Sequence, residues 1–347
     1  MKVITTSSNV FELIALSANL IPVPLIHTQI YPLIAKAVLE AHSLNIFEAF
    51  RTGPKSLENA AETTGLDPNA LGSLLKVLAA CKYLKYKQHK YSLTSMSRKW
   101  CLKSSPESLY NMQCYNQVTW NWLGHLETFL KTGKGIQYHD NLDEREWALY
   151  QQGMENIAST ISKFITALGP KLDKPKKMLD IGGSHGLFSL EYVKKYPGMS
   201  ATILDLPLAV DHAEPLLRKH YKGNNIRYKK GDARKECFGI DEYDIVFVGS
   251  VMHHFTAEQN TDLCNRISTA LKTKGYLVIQ EFLKAEEEVK SEMITSTMDL
   301  FFNLSSNSGG WSAKDLVQFQ HASGLKPLRV KKFASVPGLA QLIAQKV

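Results

Sequence analysis

Five apolar runs of strand length, separated by helix-length segments, constrain the fold more than any other feature of this chain. The runs all lie after residue 170 and read KKMLDIGG, SATILDLP, NIRYKKGD, YDIVFVGS and GYLVIQEF. Continuous apolar strands separated by helices predict a parallel sheet that is covered on both faces. Two more runs, LKPLRVKKFAS and LAQLIAQKV, flank Pro337-Gly338 and predict a closing antiparallel hairpin. We therefore predict an α/β fold with a doubly wound, seven-stranded sheet over residues 169–347.

The amino-terminal part shows helical periodicity instead. The stretch HTQIYPLIAKAVLEAHSLNIFEAF predicts one long amphipathic helix, whose apolar stripe comprises Ile30, Leu33, Ala37, Val38 and Ala41. Two shorter helices capped by Ser56 and Asp67 follow, and then two strand-like pieces, YLKYKQH and KYSLT. Three helices and a two-stranded wing predict a winged helix-turn-helix domain over 1–105. The aromatic stretch over 106–168 predicts linking helices that wall a substrate pocket.

A winged helix raises the possibility of DNA binding. The recognition helix would carry Lys76 and Lys82 as its positive side chains, whereas a DNA reader normally presents several. The net charge of +8 is a modest excess for 347 residues. We expect a packing and dimerisation platform and no nucleic-acid partner, with a transcriptional regulator as the less favoured alternative.

The five cysteines lie far apart and form no C-x-x-C pair, which is typical of reduced thiols in the cytoplasm. The start of the chain lacks a compact apolar segment followed by a small-residue cleavage site. The apolar runs are interrupted well short of the roughly 20 residues that span a bilayer. We expect a cytoplasmic protein without a membrane partner.

Acidic residues and glycines follow three of the predicted strands. The first strand ends in Asp180-Ile181-Gly182-Gly183-Ser184-His185-Gly186, the second in Asp205, and the third in Gly231-Asp232. In such a sheet, ligands bind outside the carboxyl ends of the strands. A carboxylate after the second strand can accept two hydrogen bonds from a ribose diol. A dinucleotide oxidoreductase would need G-x-G-x-x-G, whose third glycine is missing here, so S-adenosylmethionine fits better.

With these motifs the chain resembles class I S-adenosylmethionine-dependent O-methyltransferases of the plant caffeate/acetylserotonin type, including bacterial natural-product relatives. The resemblance runs from about residue 30 to the end and includes LDIGGSHG, ILDLP, KKGDA, VMHHFTAEQ and VIQEF. It implies a Rossmann-like catalytic domain over 169–347, preceded by a domain that forms an intertwined homodimer. The cofactor residues that it implies are Asp180, Gly182, Gly183, Gly186, Asp205, Leu206, Gly231, Asp232, Ala233, Gly249 and Ser250.

The histidine pair in VMHHFTAEQ is the predicted catalytic position. The resemblance makes His253 the general base, gives Glu281 the role of its orienting partner, and places His254 where relatives carry an acid. Imidazole has a pKa near 6.5 and can accept the proton of a phenol during methyl transfer. Adjacent side chains diverge on a strand or a helix, so we expect no metal site here and a bystander role for His254.

One departure from the resemblance concerns a second acid, which relatives carry after a glycine pair. Here Gly309-Gly310 is followed by Trp311, and no acid aligns. Methylation of carbon or nitrogen, or a reaction without methyl transfer, therefore remains open beside O-methylation. We predict a small phenolic or polyketide-like acceptor. Its predicted pocket is lined by Met112, Trp120, Met154, Met298, Phe301, Phe302 and Trp311.

Overall fold

The computed structural model describes residues 7–284, 293–306, 308–334 and 336–347. The chain forms two compact units, one ending at Val118 and the other beginning at Thr119. The domain boundaries predicted from the sequence, at 105/106 and 168/169, stay a prediction. Each unit is described by itself below.

The amino-terminal unit consists of helices and one two-stranded antiparallel sheet. Its helices are α1 Val10–Ser17, α2 Val23–Leu25, α3 Tyr31–Ser43, α4 Ile46–Ala49, α5 Leu57–Thr64, α6 Pro68–Ala80, α7 Ser95–Trp100 and α8 Tyr110–Trp122, which contains the unit boundary. Strands β1 Leu84–Lys87 and β2 Lys90–Leu93 pair with each other between α6 and α7. Ser56 and Asp67 cap α5 and α6 through their side chains, as their residue types predict.

The prediction of one long helix over residues 27–50 is wrong in detail. A π-helical stretch over Ile26–Ile30 precedes α3, and α3 ends before Asn45, whose φ is +56°. Asn tolerates this left-handed conformation better than most residues, and the turn lets Ile46 and Phe47 enter the core. The predicted stripe is divided accordingly. Ala37, Val38 and Ala41 are buried, whereas Ile30 and Leu33 are 49% and 63% exposed.

The carboxyl-terminal unit is an α/β domain. Its sheet contains β3 Lys177–Ile181, β4 Ser200–Asp205, β5 Ile226–Lys230, β6 Tyr243–Gly249, β7 Leu271–Phe282, β8 Leu325–Lys332 and β9 Leu339–Lys346. Its helices are α9 Leu126–Thr132, α10 Tyr138–Asn141, α11 Glu144–Ala167, α12 Leu187–Lys195, α13 Pro207–His220, α14 Ala257–Ala270, α15 Met293–Ser305 and α16 Ala313–Ala322.

The strand order is β5-β4-β3-β6-β7-β9-β8. The first five strands of this order pair in parallel, and β9 pairs antiparallel with both β7 and β8. The predicted seven-stranded sheet with a final antiparallel hairpin is confirmed. The order reverses beside β3, so β3 and β6 are the strands whose carboxyl ends border the crevice where ligands bind in such sheets.

Two apolar clusters cover the two faces of this sheet. One contains Val246 and Val248 with residues of α14 and α16, and the other contains Ile245 and Phe247 with residues of α12 and α13. Alternate residues of β6 thus enter opposite clusters, as the two-residue period of a strand requires. Among the described residues, no helix is long and apolar enough to cross a membrane.

Candidate active site

The turn after β3 is shaped by glycines and one serine in the left-handed region. Gly182, Ser184 and Gly186 have φ values of +65°, +46° and +71°. A Cβ atom at Gly182 would lie 2.3 Å from Cγ2 of Val251, and one at Gly183 would lie 2.6 Å from Cγ of Asp180. The backbone of this loop therefore approaches its neighbours too closely for side chains. It leads directly into the first turn of α12.

Two carboxylates flank this loop. The Asp180 carboxylate accepts the hydroxyl of Ser189 at 2.7 Å, and Asp205 accepts the backbone N–H of Ser184 at 2.8 Å. Burial raises the pKa of Asp180 to about 7, with a smaller contribution from the charge of Asp205. Burial also raises the pKa of Asp205 to about 6. Burial makes the ionised form of both carboxyl groups less favourable, and a cationic ligand or hydroxyl donors would offset this effect.

The third acid at this sheet edge already has a partner within the chain. Asp232 accepts two hydrogen bonds from Arg234 Nε, at 2.9 and 3.0 Å, and one from an Arg234 terminal nitrogen at 2.8 Å. These bonds and the adjacent positive charge offset burial and hold the pKa of Asp232 below its usual range. A ligand amine that binds Asp232 therefore has to compete with Arg234 or share the carboxylate with it.

The chain turns sharply after β6. Ser250 has a φ of +56°, and a short 3₁₀ turn over Met252–His254 follows before Thr256 caps α14. The turn places His253 beside the end of β7, because β6 and β7 are parallel neighbours. His253 is 3% exposed and Glu281 is fully buried.

His253 and Glu281 form a buried hydrogen-bonded pair. His253 Nδ1 lies 2.8 Å from Glu281 Oε1. The same carboxylate accepts the backbone N–H of Met252 on Oε2 and that of Phe282 on Oε1, both at 3.1 Å. Three donors therefore fix the carboxylate. With Nδ1–H donating to Glu281, Nε2 of the neutral ring is left as a proton acceptor.

The backbone of the histidine turn is held from several sides. The Met252 carbonyl accepts the indole N–H of Trp311 at 2.8 Å and the side-chain amide of Asn260 at 2.9 Å. The His253 carbonyl accepts the hydroxyls of Ser306 and Ser308, at 3.0 and 2.9 Å. Four side chains thus fix the position of two consecutive carbonyl groups.

The two histidine rings do not diverge as expected. Their centroids lie 4.0 Å apart, because the residues sit on a tight 3₁₀ turn and not on a strand or a regular α-helix. The His254 ring also contacts the rings of His139 and Tyr138, with centroid distances of 4.7 and 5.6 Å. In the described part of the chain, no group of three or more His, Cys, Asp or Glu side chains has an arrangement that could hold a metal ion.

Comparison with known proteins identifies the family. A family model described as an O-methyltransferase domain matches residues 123–324, which is more than half of the chain. The chain belongs to the O-methyltransferase domain family. The enzymes of this family use S-adenosylmethionine as methyl donor, in agreement with the glycine loop and the acids at the sheet edge.

Individual relatives are distant in sequence. A bacteriochlorophyllide d C-20 methyltransferase of Chlorobaculum tepidum is 26% identical, with 73% of this chain and 75% of that protein covered. A human protein described as a probable bifunctional dTTP/UTP pyrophosphatase/methyltransferase is 20% identical to this chain. The alignment covers 77% of this chain and 45% of the human protein, so this chain spans less than half of that protein's length. The crystal structure of human N-acetylserotonin methyltransferase in complex with SAM superimposes with a TM-score of 0.83, covering 99% of both chains at 19% identity.

The residues predicted to line the pocket lie on three helices and one loop. Phe302 stacks beside His253 with ring centroids 4.2 Å apart, and Phe301 stacks on Trp122 at 6.0 Å. Met154 and Met298 are partly buried on α11 and α15, and Trp120 is partly buried on α8. Met112 belongs to the amino-terminal unit and is partly buried there.

Trp311 has a role that its residue type alone did not indicate. Its ring packs edge-on against Phe319 at 5.1 Å and against the cluster beneath the sheet, while its N–H reaches Met252. The side chain therefore supports the histidine turn. A Cβ atom at Gly310 would lie 2.7 Å from Oδ1 of Asp299, so the carboxylate of Asp299 occupies space next to the glycine pair.

Several residues near the cofactor loop were missed by the sequence motifs. Gln151 on α11 is 1% exposed and accepts the hydroxyl of Ser184, and Tyr228 donates its hydroxyl to the Ser184 carbonyl at 2.8 Å. The Nδ1 atom of His185 accepts the Leu187 N–H, and burial lowers the pKa of His185 to about 3. Gln151 and Tyr228 lie far from the loop in sequence, so no spacing pattern could have found them, and the role of His185 within the quoted motif depends on its burial.

Proposed function

We propose that this protein transfers the methyl group of S-adenosylmethionine to a hydroxyl group of a small aromatic molecule, phenolic or polyketide-like, with His253 as general base. The buried His253–Glu281 pair beside the cofactor loop is the observation that carries the proposal. Glu281 fixes the tautomer in which Nε2 accepts a proton. The proposal makes Glu281 a positioning residue, because it acts through His253.

The chemistry asks little of the protein beyond alignment and one proton transfer. S-adenosylmethionine supplies an electrophilic methyl group when it is bound. A phenol has a pKa of about 10, so its hydroxyl is a poor nucleophile at neutral pH until a base takes the proton. His253 is positioned to accept that proton and later to release it to solvent, and the three donors to Glu281 keep the imidazole in one orientation.

The sheet edge fits the cofactor. The glycine loop has no room for side chains at Gly182 and Gly183, and Asp180 and Asp205 beside it are buried carboxylates with raised pKa values that a cation and a diol would stabilise as anions. In the proposal Asp205 holds the ribose, and Asp232 with Ala233 borders the adenine. The other residues proposed to surround the cofactor are Leu206, Gly231, Gly249 and Ser250.

The acceptor pocket is proposed to be apolar and flat. Phe302 lies against the His253 ring, Phe301 contacts Phe302 and stacks on Trp122, and methionines adapt to substrate shape. This combination supports an aromatic acceptor over a sugar or a nucleic acid.

The amino-terminal unit is proposed to be a winged-helix domain that forms a homodimer. Every side chain of α1 is at least partly exposed, and Phe11 and Ile14 are 85% and 58% exposed. Leu20 and Leu33, which follow α1 in the chain, are 75% and 63% exposed. Exposed large apolar side chains of this kind are typical of an interaction surface, and the resemblance to dimeric methyltransferases makes a second copy of this chain the proposed partner.

The test uses methyl-labelled S-adenosylmethionine, a panel of phenols and an extract of the source organism, with the labelled products identified by mass spectrometry and NMR. We expect label on a phenolic oxygen and a loss of at least about 100-fold in kcat for His253→Gln. His321→Gln, which changes an exposed histidine at the end of α16, is the matched control and should retain wild-type turnover. Label on carbon or nitrogen alone would contradict the proposal.

A carbon acceptor is the second candidate. The relative named as a C-20 methyltransferase supports it, together with the lack of an acid directly after Gly310. The same NMR assignment distinguishes the two candidates, because O-methyl and C-methyl groups have well-separated chemical shifts.

A further inference from the structure

His254 and His139 form a pair of imidazoles on one side of the proposed base. The ring centroids of His253 and His254 lie 4.0 Å apart, and those of His254 and His139 lie 4.7 Å apart with nearly perpendicular planes. His139 is itself stacked on Trp147 at 5.4 Å and contacts Tyr138 at 4.0 Å. The mechanism proposed above uses neither His254 nor His139.

Both rings are neutral and have free hydrogen-bonding capacity. Burial lowers the pKa of His139 to about 3, and electrostatic repulsion that His253 exerts when it is protonated adds to this effect. Burial also lowers the pKa of His254 well below its usual range, again with His253 contributing. Within the described residues, neither ring makes a side-chain hydrogen bond. Each neutral imidazole therefore offers one N–H donor and one acceptor nitrogen.

The residue type at position 254 changes what this site can recognise. An ionised carboxylate at this position would only accept hydrogen bonds. A neutral imidazole can also donate one. A hydroxyl or amine on the acceptor would satisfy either residue, whereas a carbonyl oxygen can bind only a donor. The neutral His254 ring, whose centroid lies 4.0 Å from that of the proposed base, can therefore bind a carbonyl oxygen of the acceptor by donating to it.

We propose that the methyl acceptor carries a carbonyl oxygen next to the hydroxyl that is methylated, as hydroxyketones and hydroxyquinones do, and that His254 donates a hydrogen bond to this carbonyl. His139 contacts the His254 ring and is stacked on Trp147, so it acts as a positioning residue for His254. In free hydroxyketones the hydroxyl proton is bound to the neighbouring carbonyl. A donor on that carbonyl releases the hydroxyl proton to the adjacent His253. This inference rests on the proposed function.

The experiment compares matched pairs of acceptors that differ in the carbonyl group. One pair is 2-hydroxyacetophenone and 2-ethylphenol, and a larger pair is 1-hydroxyanthraquinone and 1-hydroxyanthracene. Catechol tests a second hydroxyl in place of the carbonyl. Rates are measured as kcat/KM for transfer of labelled methyl to oxygen, together with the Kd for S-adenosylmethionine, in wild type and in His254→Ala, His254→Asp, His139→Phe and the control His321→Ala.

In the wild type we expect at least a tenfold preference for the carbonyl-bearing member of at least one pair. His254→Ala should reduce this preference to about twofold or less, and His254→Asp should lower the rate with the ketone while retaining or raising the rate with catechol. His139→Phe, which keeps a ring against Trp147, should raise KM for the ketone more than it lowers kcat. The Kd for S-adenosylmethionine should stay within about twofold in all of these variants.

Two results separate the two proposals. Oxygen methylation without any preference for the carbonyl, or a preference that survives in His254→Ala, would overturn the inference and leave the proposed function standing. If the protein binds S-adenosylmethionine but methylates no oxygen in the panel or in the extract, the proposed function fails and the inference fails with it.

Discussion

At the scale of single residues, the geometry of Glu281 supports the proposal that His253 acts as a base. The carboxylate is fully buried and accepts three hydrogen bonds, from the His253 ring and from the backbone N–H groups of Met252 and Phe282. A buried carboxylate with three donors is a rigid acceptor, and hydrogen bonds to a charged group are stronger than neutral ones. The ring is thereby held in one tautomer before any acceptor arrives.

Replacing this carboxylate by an amide should misorient the base. In Glu281→Gln the amide retains one acceptor oxygen for three donors, so the His253 N–H or a backbone N–H loses its partner. We expect kcat to fall by about 100- to 10,000-fold, the range seen when the residue that orients a catalytic histidine is neutralised. Steady-state kinetics with a responsive phenol measure this loss. The Kd for S-adenosylmethionine is the control and should change less than about threefold, and an unchanged kcat would refute the positioning role.

The indole N–H of Trp311 is expected to matter for the position of the histidine turn. Trp311→Phe keeps an aromatic ring against Phe319 but removes the hydrogen bond to the Met252 carbonyl, which retains Asn260 as a donor. We expect a loss of about 1 kcal/mol in the free energy of unfolding, measured by urea titration. We also expect a reduced kcat with an unchanged Kd for the cofactor. A larger change in that Kd than in kcat would place Trp311 elsewhere in the function.

At the scale of secondary-structure elements, the carboxyl ends of β3 and β4 bring two acids to one buried edge. Burial raises the pKa values of Asp180 and Asp205 to about 7 and about 6, above the usual value of 3.8. The folded chain thus holds protons that the unfolded chain has released. The stability contributed by these groups is complete below pH 3.8 and is lost as the pH rises through about 6 and 7.

Binding of the cofactor should show the opposite pH dependence. The diol and the cationic part of S-adenosylmethionine favour the ionised carboxylates, so the affinity should increase as the pH rises from 5 to 8. We expect Kd to fall by about tenfold or more over this range, with proton release, both measurable by calorimetry in buffers of different ionisation enthalpy. Asp205→Asn should bind weakly and show a flatter profile. A Kd for the wild type that is independent of pH would contradict the assignment of these acids to the cofactor site.

The elements also show where prediction from sequence succeeded. Strands β3, β4, β6 and β7 were predictable because each contains a largely apolar run bounded by polar or glycine-containing turns, whereas β5, Ile226–Lys230, carries three charged residues. The observed strand order brings the ends of β3, β4, β5, β6 and β7 to one edge. The histidine turn was not predictable, because a left-handed Ser250 and a 3₁₀ turn depend on tertiary contacts of Val251, Trp311 and Asn260. The long amino-terminal helix was interrupted at Asn45 for a similar reason, since burial of Ile46 and Phe47 outweighed local helical propensity.

At the scale of the whole molecule, the exposed apolar side chains of the first helices predict association of two copies. The double variant Phe11→Asp with Ile14→Asp places two charges on this surface, where both side chains are more than half exposed in the single chain. We expect wild-type protein to sediment as a dimer and the variant to sediment as a monomer, measured by analytical ultracentrifugation. A control with Lys87→Asp, on the exposed wing strand, should remain dimeric. A wild-type protein that stays monomeric at micromolar concentration would contradict the dimer.

The sequence motifs predict only some of the residues around the candidate site. The residues proposed to bind the cofactor follow strands of one unit and were predicted from motif spacing. Gln151 and His139 lie on helices that the motifs do not mark, and Tyr228 lies on β5 ahead of the Gly231-Asp232 motif. Their contribution depends on how distant segments pack around the sheet edge. The family and the fold were thus accessible from local patterns, and the surroundings of the acceptor were not.

The central claim is that His253 removes the proton of the acceptor hydroxyl, and single-turnover methyl transfer to phenols of graded acidity tests it most directly. At pH 7.5, His253→Gln should lose at least about 100-fold with weakly acidic phenols, because no base is left to take the proton. With nitrophenols that are already ionised at this pH, the variant should approach the wild-type rate. An equal loss with all phenols, or no loss with any, would contradict the account.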